Sequence, residues 1–309
     1  MRLMQRAIRT AAFALACAAI VAGRAAAQDM EPKSYSASPV GANFFVGSFS
    51  WSTGSVVFDP TLPLSDVHAD VRGFVAAVGH SFDLFGNLAL ATVALPYVLA
   101  DVTGKIQEQA ASTSRSGLAD ARFRLSVNLR GNPAMSAREF ARAPKQTIIG
   151  ASLSVSAPAG QYYDTKLINL GNNRWTFKPE VGISVPIRRV DADAYLGATF
   201  FTRNDDFYPG GQARTQEPVL AAQAHVSYTL RPRLWVAFDS TWYAGGAARV
   251  AEGDASIPAN NSRAGITFSM PVGVRYSLKV AYGNGVIVRT GTNFSSVAVA
   301  MQALWLSPR

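Results

Sequence analysis

The chain has 309 residues, 49% of them hydrophobic and 16% charged, with 29 Lys+Arg against 20 Asp+Glu and a formal net charge of +9. One cysteine and three histidines exclude an internal disulfide and a multi-thiolate metal site, and leave little for a histidine metal cluster. No apolar run reaches the roughly 18 residues that a membrane-spanning helix requires.

Arg2, Arg6 and Arg9 give a positive start, Ala11 to Ala22 is apolar, and Ala25-Ala26-Ala27 is a small-residue cleavage pattern. This predicts a secretory signal peptide over 1–27. A membrane anchor is the rival reading, but the apolar stretch is too short to span as a helix and Arg24 closes it. Removal of the segment takes Arg2, Arg6, Arg9 and Arg24, so the net charge falls to +5, and Cys17 goes with it. The remaining basicity carries no basic cluster or base-stacking motif, so no nucleic acid is expected as a partner.

Residues 28–39 are polar and predict a periplasmic lead-in. Twelve strand-like segments follow, near 40–52, 68–83, 86–101, 117–130, 146–158, 173–187, 190–203, 217–230, 233–246, 262–271, 274–288 and 294–305. The clearest is Ala121 to Arg130. Phe123, Leu125, Val127 and Leu129 alternate there with Arg122, Arg124, Ser126, Asn128 and Arg130, the period-2 pattern of a strand with one apolar face and one wet face. The same alternation sets Leu220, Val226 and Tyr228 against Gln223, His225 and Ser227, and Val236, Phe238 and Trp242 against Ala237, Asp239 and Thr241. In the first three segments Phe, Val and Ala fall on both faces, as in strands facing a plug or a tightly filled lumen.

Short connections at 83–86, 187–190, 230–233 and 271–273 alternate with longer polar ones near 53–67, 102–116, 159–172, 204–216 and 247–261. Gly131 to Lys145 is long where a short turn is due, and predicts a short helix around Ser136–Arg142. The whole reads as an all-β, transmembrane, antiparallel up-and-down barrel of about 12 strands, one domain over 40–309. An even strand number places both termini in the periplasm, and Trp51, Tyr97, Trp175, Trp242, Tyr243 and Trp305 suit interfacial girdles. A soluble periplasmic sandwich is the alternative, and it alternates its loops less regularly.

Three strings are specific: Asn169-Leu-Gly-Asn-Asn-Arg-Trp-Thr-Phe-Lys-Pro-Glu180, Ser116-Gly-Leu-Ala-Asp120 and Ala157-Pro-Ala-Gly-Gln-Tyr162. With Arg289-Thr-Gly291 and Tyr243-Ala-Gly-Gly246 they resemble the outer-membrane transporter family labelled for the meta-pathway of phenol degradation, over roughly 40–305. The resemblance implies a barrel in the outer membrane of a Gram-negative bacterium that passes small hydrophobic or aromatic compounds inward. It brings no catalytic or ligand set.

Candidate lumen and selectivity residues are Arg122, Arg124, Lys178, Glu180, His225, Asp239, Arg263 and Lys279. Together they form a basic constriction for anions or a salt-bridged interior in which Lys178–Glu180 and Asp239 supply local pairs. Candidate mouth and turn residues are Asn169, Gly171, Asn172, Asn173, Arg174 and Trp175, with Gly171 supplying an unusual backbone angle and the asparagines side-chain turns. Pro179 removes a ladder donor and predicts a local bulge or a gap in the wall. His225 and Ser227 share a strand face, but the sequence names no acid partner or oxyanion donor for an integral lipid hydrolase. Neither catalysis, nor a cofactor, nor a metal site is expected. The expected partners are outer-membrane lipid and a small hydrophobic or aromatic solute, with the chain as a monomer. A closed structural or adhesive barrel is the other class.

Overall fold

The computed structural model describes residues 30–57, 64–106, 109–166, 168–208 and 210–307. The expected signal peptide, 1–27, lies outside the described residues. Strand alternation closes the chain on itself. β1 (Ala42–Val57) pairs on one side with β2 (Leu64–Leu84) and on the other with the last strand, β16 (Gly291–Leu306), from Ala42↔Leu306 through Val57↔Gly291. β3 (Asn87–Ile106) receives two partners along one edge. β4 (Gln109–Leu118) pairs with its far half and β5 (Arg122–Arg130) with its near half. These two form one barrel strand broken at 119–121. The wall continues through β6 (Ile148–Ser156), β7 (Thr176–Ile187), β8 (Val190–Phe201), β11 (Val219–Arg231), β12 (Leu234–Gly245), β14 (Ala259–Val272) and β15 (Tyr276–Ile287). The thirteen strands of the sheet therefore occupy twelve positions, and the β2–β3 pairing closes the ring. Closure leaves no unpaired edge to face hydrocarbon.

One end of the barrel carries the short turns, the entry of the chain into β1 at Ala42 and its exit from β16 at Leu306. One of these turns is Phe85-Gly86, with φ of 53° and 85°, the double positive-φ turn that matches strand twist. The connection 131–147 is at this end too. It holds α1 (Ala137–Phe140), closed by a reciprocal capping box between Ser136 and Glu139, within the range the sequence predicted.

The other end carries the long connections, and here expectation and structure differ. Much of 53–67 and 102–116 is strand: β1, β2, β3 and β4 run on as extended hairpins. Within 204–216 and 247–261, β9 (Asn204–Phe207), β10 (Gln212–Gln216) and β13 (Ala248–Val250) form a separate three-stranded sheet. The stretches 204–216 and 247–261 are largely polar, and the tops of β1–β4 carry only scattered inward apolar residues such as Val56, Val67 and Val102, so hydropathy carries little strand signal. Their partners are nonetheless aligned by the barrel strands below, and the ladder propagates.

Side chains divide as the alternation requires. Leu125, Val226, Phe238 and Ile266 point outward, while Asn128, His225, Asp239 and Thr267 are buried inside. On β2 the outward row changes from Asp66, His68, Asp70 and Arg72 to Phe74 and Val78, which marks the edge of the apolar band. Trp51, Tyr97, Trp175, Trp242 and Trp305 are 42–51% exposed on the outer surface. Tyr243 is a correction: it is 6% exposed and shares the inward face of β12 with Asp239 and Thr241. No helix of the described residues is long and apolar enough to cross a membrane.

Candidate functional site

The lumen is filled by residues that precede β1. Residues 30–41, which overlap the lead-in expected over 28–39, fold back inside the barrel from the turn end. Tyr35 is 1% exposed, and its hydroxyl lies 3.1 Å from Ser152 Oγ and donates to Glu180 Oε1 at 3.2 Å. Its ring meets Tyr195 edge-on at 5.3 Å. Two glycines make room for it: a Cβ at Gly150 or Gly182 would lie 2.2 or 2.4 Å from the ring. Lys33 pairs with Asp191, its backbone N–H donates to Asp193 at 3.2 Å, and Ser34 N–H donates to Tyr195 at 3.0 Å. The Lys33 ammonium also lies 5.6 Å over the Trp235 ring, which Lys279 approaches at 5.9 Å. A cavity of about 30 Å³ remains between this segment and Ser81, Leu90 and Asn128, room for roughly one water.

Glu180 is the hub of the lumen. It is 8% exposed and accepts from Gln223 Nε2 at 3.1 Å, pairs with Lys178 at 3.2 Å and with Arg124 at 3.4 Å. Arg124 reaches on to Glu31 at 3.8 Å and donates to Ser34 Oγ at 3.0 Å, so the same guanidinium ties wall to plug. Beside it, His225 Nδ1 lies 2.7 Å from Asp239 Oδ1, and Thr267 donates to Asp239 Oδ2 at 2.6 Å. His225 and Asp239 are each 1% exposed. A pair so deeply buried has to be mutually satisfied, because either member alone would carry a large desolvation cost.

At the loop end the three specific strings meet on one carboxylate. Asp120, in the break between β4 and β5, accepts from Gly160 N–H at 3.0 Å and from Asn172 N–H and Nδ2, each at 2.9 Å. Gly160 and Gly171 touch: a Cβ on either would lie 2.8 Å from the other's backbone. Asn169 braces the loop, accepting from Tyr163 N–H at 2.8 Å and donating to the carbonyls of Tyr163 and Lys166. The loop then turns Ile168 inward, onto Val56, Val67, Ala69, Val102 and Phe294. An apolar cluster therefore lies inside the mouth of a barrel whose middle is polar.

These features agree with what the chain is similar to. The model of a family described as "Putative MetA-pathway of phenol degradation" matches residues 52–301. The chain belongs to that family. No curated protein sequence matches it. Among solved structures, an outer-membrane channel from Pseudomonas putida F1 superposes with a TM-score of 0.77 at 20% identity, covering 90% of this chain and 100% of that one. The transport unit of the Escherichia coli autotransporter AIDA-I superposes at 0.53 with 8% identity, covering 90% and 93%. These likenesses are of fold.

In this family member the sequence candidates fall into three groups. Arg124, Lys178, Glu180, His225 and Asp239 sit together in the lumen. Asp239, a candidate local partner in a salt-bridged interior, takes His225 and Thr267. Arg263 donates to Phe294 O at 3.2 Å and lies beneath the apolar mouth, and Lys279 sits with Trp235 near the turn end. Arg122 opens β5, two residues from Asp120. At the mouth, Gly171 is corrected in its role: the positive φ belongs to Asn173, at 51°, while Gly171 is small because Gly160 presses on it. Asn173 donates to Asn204, and Trp175 faces outward, stacked with Phe177 at 6.4 Å. At Pro179 the register of β7 on β8 holds, but Lys178 and Pro179 are left out of the ladder between Phe177↔Phe200 and Glu180↔Gly197. This is a local gap in hydrogen bonding with no bulge. Asp191, Asp193, Tyr195 and Trp235 were not singled out, although they obey the same alternation. Tyr35 and Lys33 lie in an unpatterned segment and left no periodic signal.

Proposed function

We propose that this protein is a monomeric outer-membrane channel for passive uptake of small hydrophobic or aromatic compounds, with its turn end and both termini in the periplasm. The observation that carries the reading is the apolar cluster of Val56, Val67, Val102, Ile168 and Phe294 inside the loop-end mouth. A channel for sugars or ions presents polar groups there, whereas Ile168, carried by the folded-in loop onto apolar side chains of β1, β2, β3 and β16, makes a contact that an apolar solute can replace without leaving a polar group unpaired. Below it, wall and plug meet through ion pairs and hydroxyls around Arg124 and Glu180, contacts that water can substitute when the plug moves. Nothing in this route consumes energy, and the outer membrane of a Gram-negative bacterium holds no nucleotide supply. The phenol-degradation family and the channel from Pseudomonas putida F1 support the same reading.

The buried His225–Asp239 pair is the feature that favours a hydrolase. Among the described residues the pair has no nucleophile: Ser227 Oγ donates to Asp191 O at 3.4 Å, and His225 Nε2 has no hydrogen-bond partner. The test is Ile168→Asp in bacteria expressing the barrel, with folding checked by heat-modifiable migration. Uptake of labelled toluene is expected to fall at least tenfold, while that of a small sugar is unchanged. Undiminished toluene uptake by the folded variant refutes the proposed route.

A further inference from the structure

Two arginines at the loop end take no part in the lumen network. Arg174 precedes β7, and Arg214 is in the middle of β10. They are 2% and 4% exposed. Arg174 Nη2 donates to the neutral amide oxygen of Gln216, which is two residues from Arg214 and therefore on the same face of β10. The guanidinium of Arg174 lies 4.3 Å over the Phe201 ring and that of Arg214 lies 5.4 Å over Phe207. Among the described residues, Arg174 Nε and Nη1 and Arg214 Nε have no hydrogen-bond partner.

The neighbours cannot supply what is missing. Asp120 is occupied by three N–H donors from the loop. Asn204 lies opposite Arg214 on β9, and its amide is spent on Asn173, Asp206, Tyr162 and Asn172. Two like charges thus lie buried near one another, and among the described residues no carboxylate is hydrogen-bonded to either, the Asp120 carboxylate acting on Arg174 only through space. Burial and the neighbouring Arg214 push Arg174 down to about 8, and burial pushes Arg214 down to about 10. A guanidinium does not give up its proton in a protein. The compensation open to it is an anion with acceptor oxygens.

We propose that Arg174 and Arg214 form an anion site in the external loops that takes a small carboxylate, with the aromatic walls of Phe201 and Phe207 suited to an aryl carboxylate. The site stands on burial and unmet donors alone and does not depend on the transport reading.

Equilibrium dialysis of the full chain in detergent, with radiolabelled benzoate, acetate, phosphate and benzyl alcohol, tests it. One benzoate per chain is expected, displaced by acetate and not by benzyl alcohol. Arg214→Gln should weaken it at least tenfold and Arg214→Lys less. Binding of phosphate without either carboxylate overturns the carboxylate assignment and marks an inorganic oxyanion site. No anion bound, equal binding of benzyl alcohol, or undiminished binding by Arg214→Gln overturns the site. If Arg214→Gln fails to fold, the wild-type competition between benzoate, acetate and benzyl alcohol decides alone. No anion bound by the wild-type chain, with its toluene uptake intact, defeats this inference and leaves the channel standing.

Discussion

Tyr35→Ala removes the buried aromatic side chain by which the N-terminal segment packs into the lumen. The ring is 1% exposed, fits against Gly150 and Gly182 and meets Tyr195 at 5.3 Å. Truncating a fully buried aromatic side chain costs about 3–5 kcal/mol, and the edge-on pair adds about 0.5–1.5 kcal/mol. The barrel wall closes without residue 35, so the cost falls on docking of the segment and not on the fold. At 1.4 kcal/mol per tenfold, a loss of about 4 kcal/mol raises the undocked fraction roughly a thousandfold. Hydrogen exchange of the amides in 31–38 should accelerate by that order, while amides of the wall keep their protection. Single-channel recordings in planar bilayers should show longer or larger openings. Unchanged exchange at Ser34, whose N–H is held by Tyr195, together with unchanged conductance, would refute the argument that this ring holds the plug.

Three further outcomes are expected. Gly182→Ala places a methyl 2.4 Å from the Tyr35 ring and should reproduce the exchange and conductance changes of Tyr35→Ala without deleting any contact; a silent Gly182→Ala contradicts the packing described. Glu180→Gln removes the carboxylate that Lys178 and Arg124 share, so the reversal potential in a salt gradient should move several-fold toward anion selectivity, and no movement would make these residues purely structural. Asp120→Ala strips the loop 157–175 of three bonds to a charged acceptor, each worth about 1.5–3 kcal/mol; external protease should then nick that loop at least tenfold faster, and an equally resistant loop would show that Asp120 does not hold it.

How much of this was legible follows from where a periodic signal exists. Ser227, Asp239 and Thr267 alternate with apolar neighbours because one face meets lipid and the other the lumen, so strand number, face and the Lys178–Glu180 pair could be read directly. The tops of β2, β3 and β4 could not. Both of their faces meet polar surroundings or a folded-in loop, and Ser112, Thr113 and Ser114 read as loop until a partner strand is in place. The plug was hidden for a different reason. Tyr35 is fixed by Gly150, Gly182 and Glu180, residues more than a hundred positions away, and local composition says nothing of such contacts. The three strings that carried the family resemblance look unrelated in sequence, yet Asp120, Gly160 and Asn172 are one hydrogen-bonded cluster. Their distinctiveness is that of a loop folded into a mouth.

The central claim is passage of apolar solutes through the lumen. Its most direct test is influx of labelled toluene, phenol, benzoate and a hexose into vesicles whose outer leaflet is lipopolysaccharide, with and without the folded barrel. Toluene and phenol entering at least tenfold faster with the barrel present, and the hexose at the background rate, is the expected result. Folded barrels that speed no aromatic solute, or that speed the hexose as much as toluene, would contradict it.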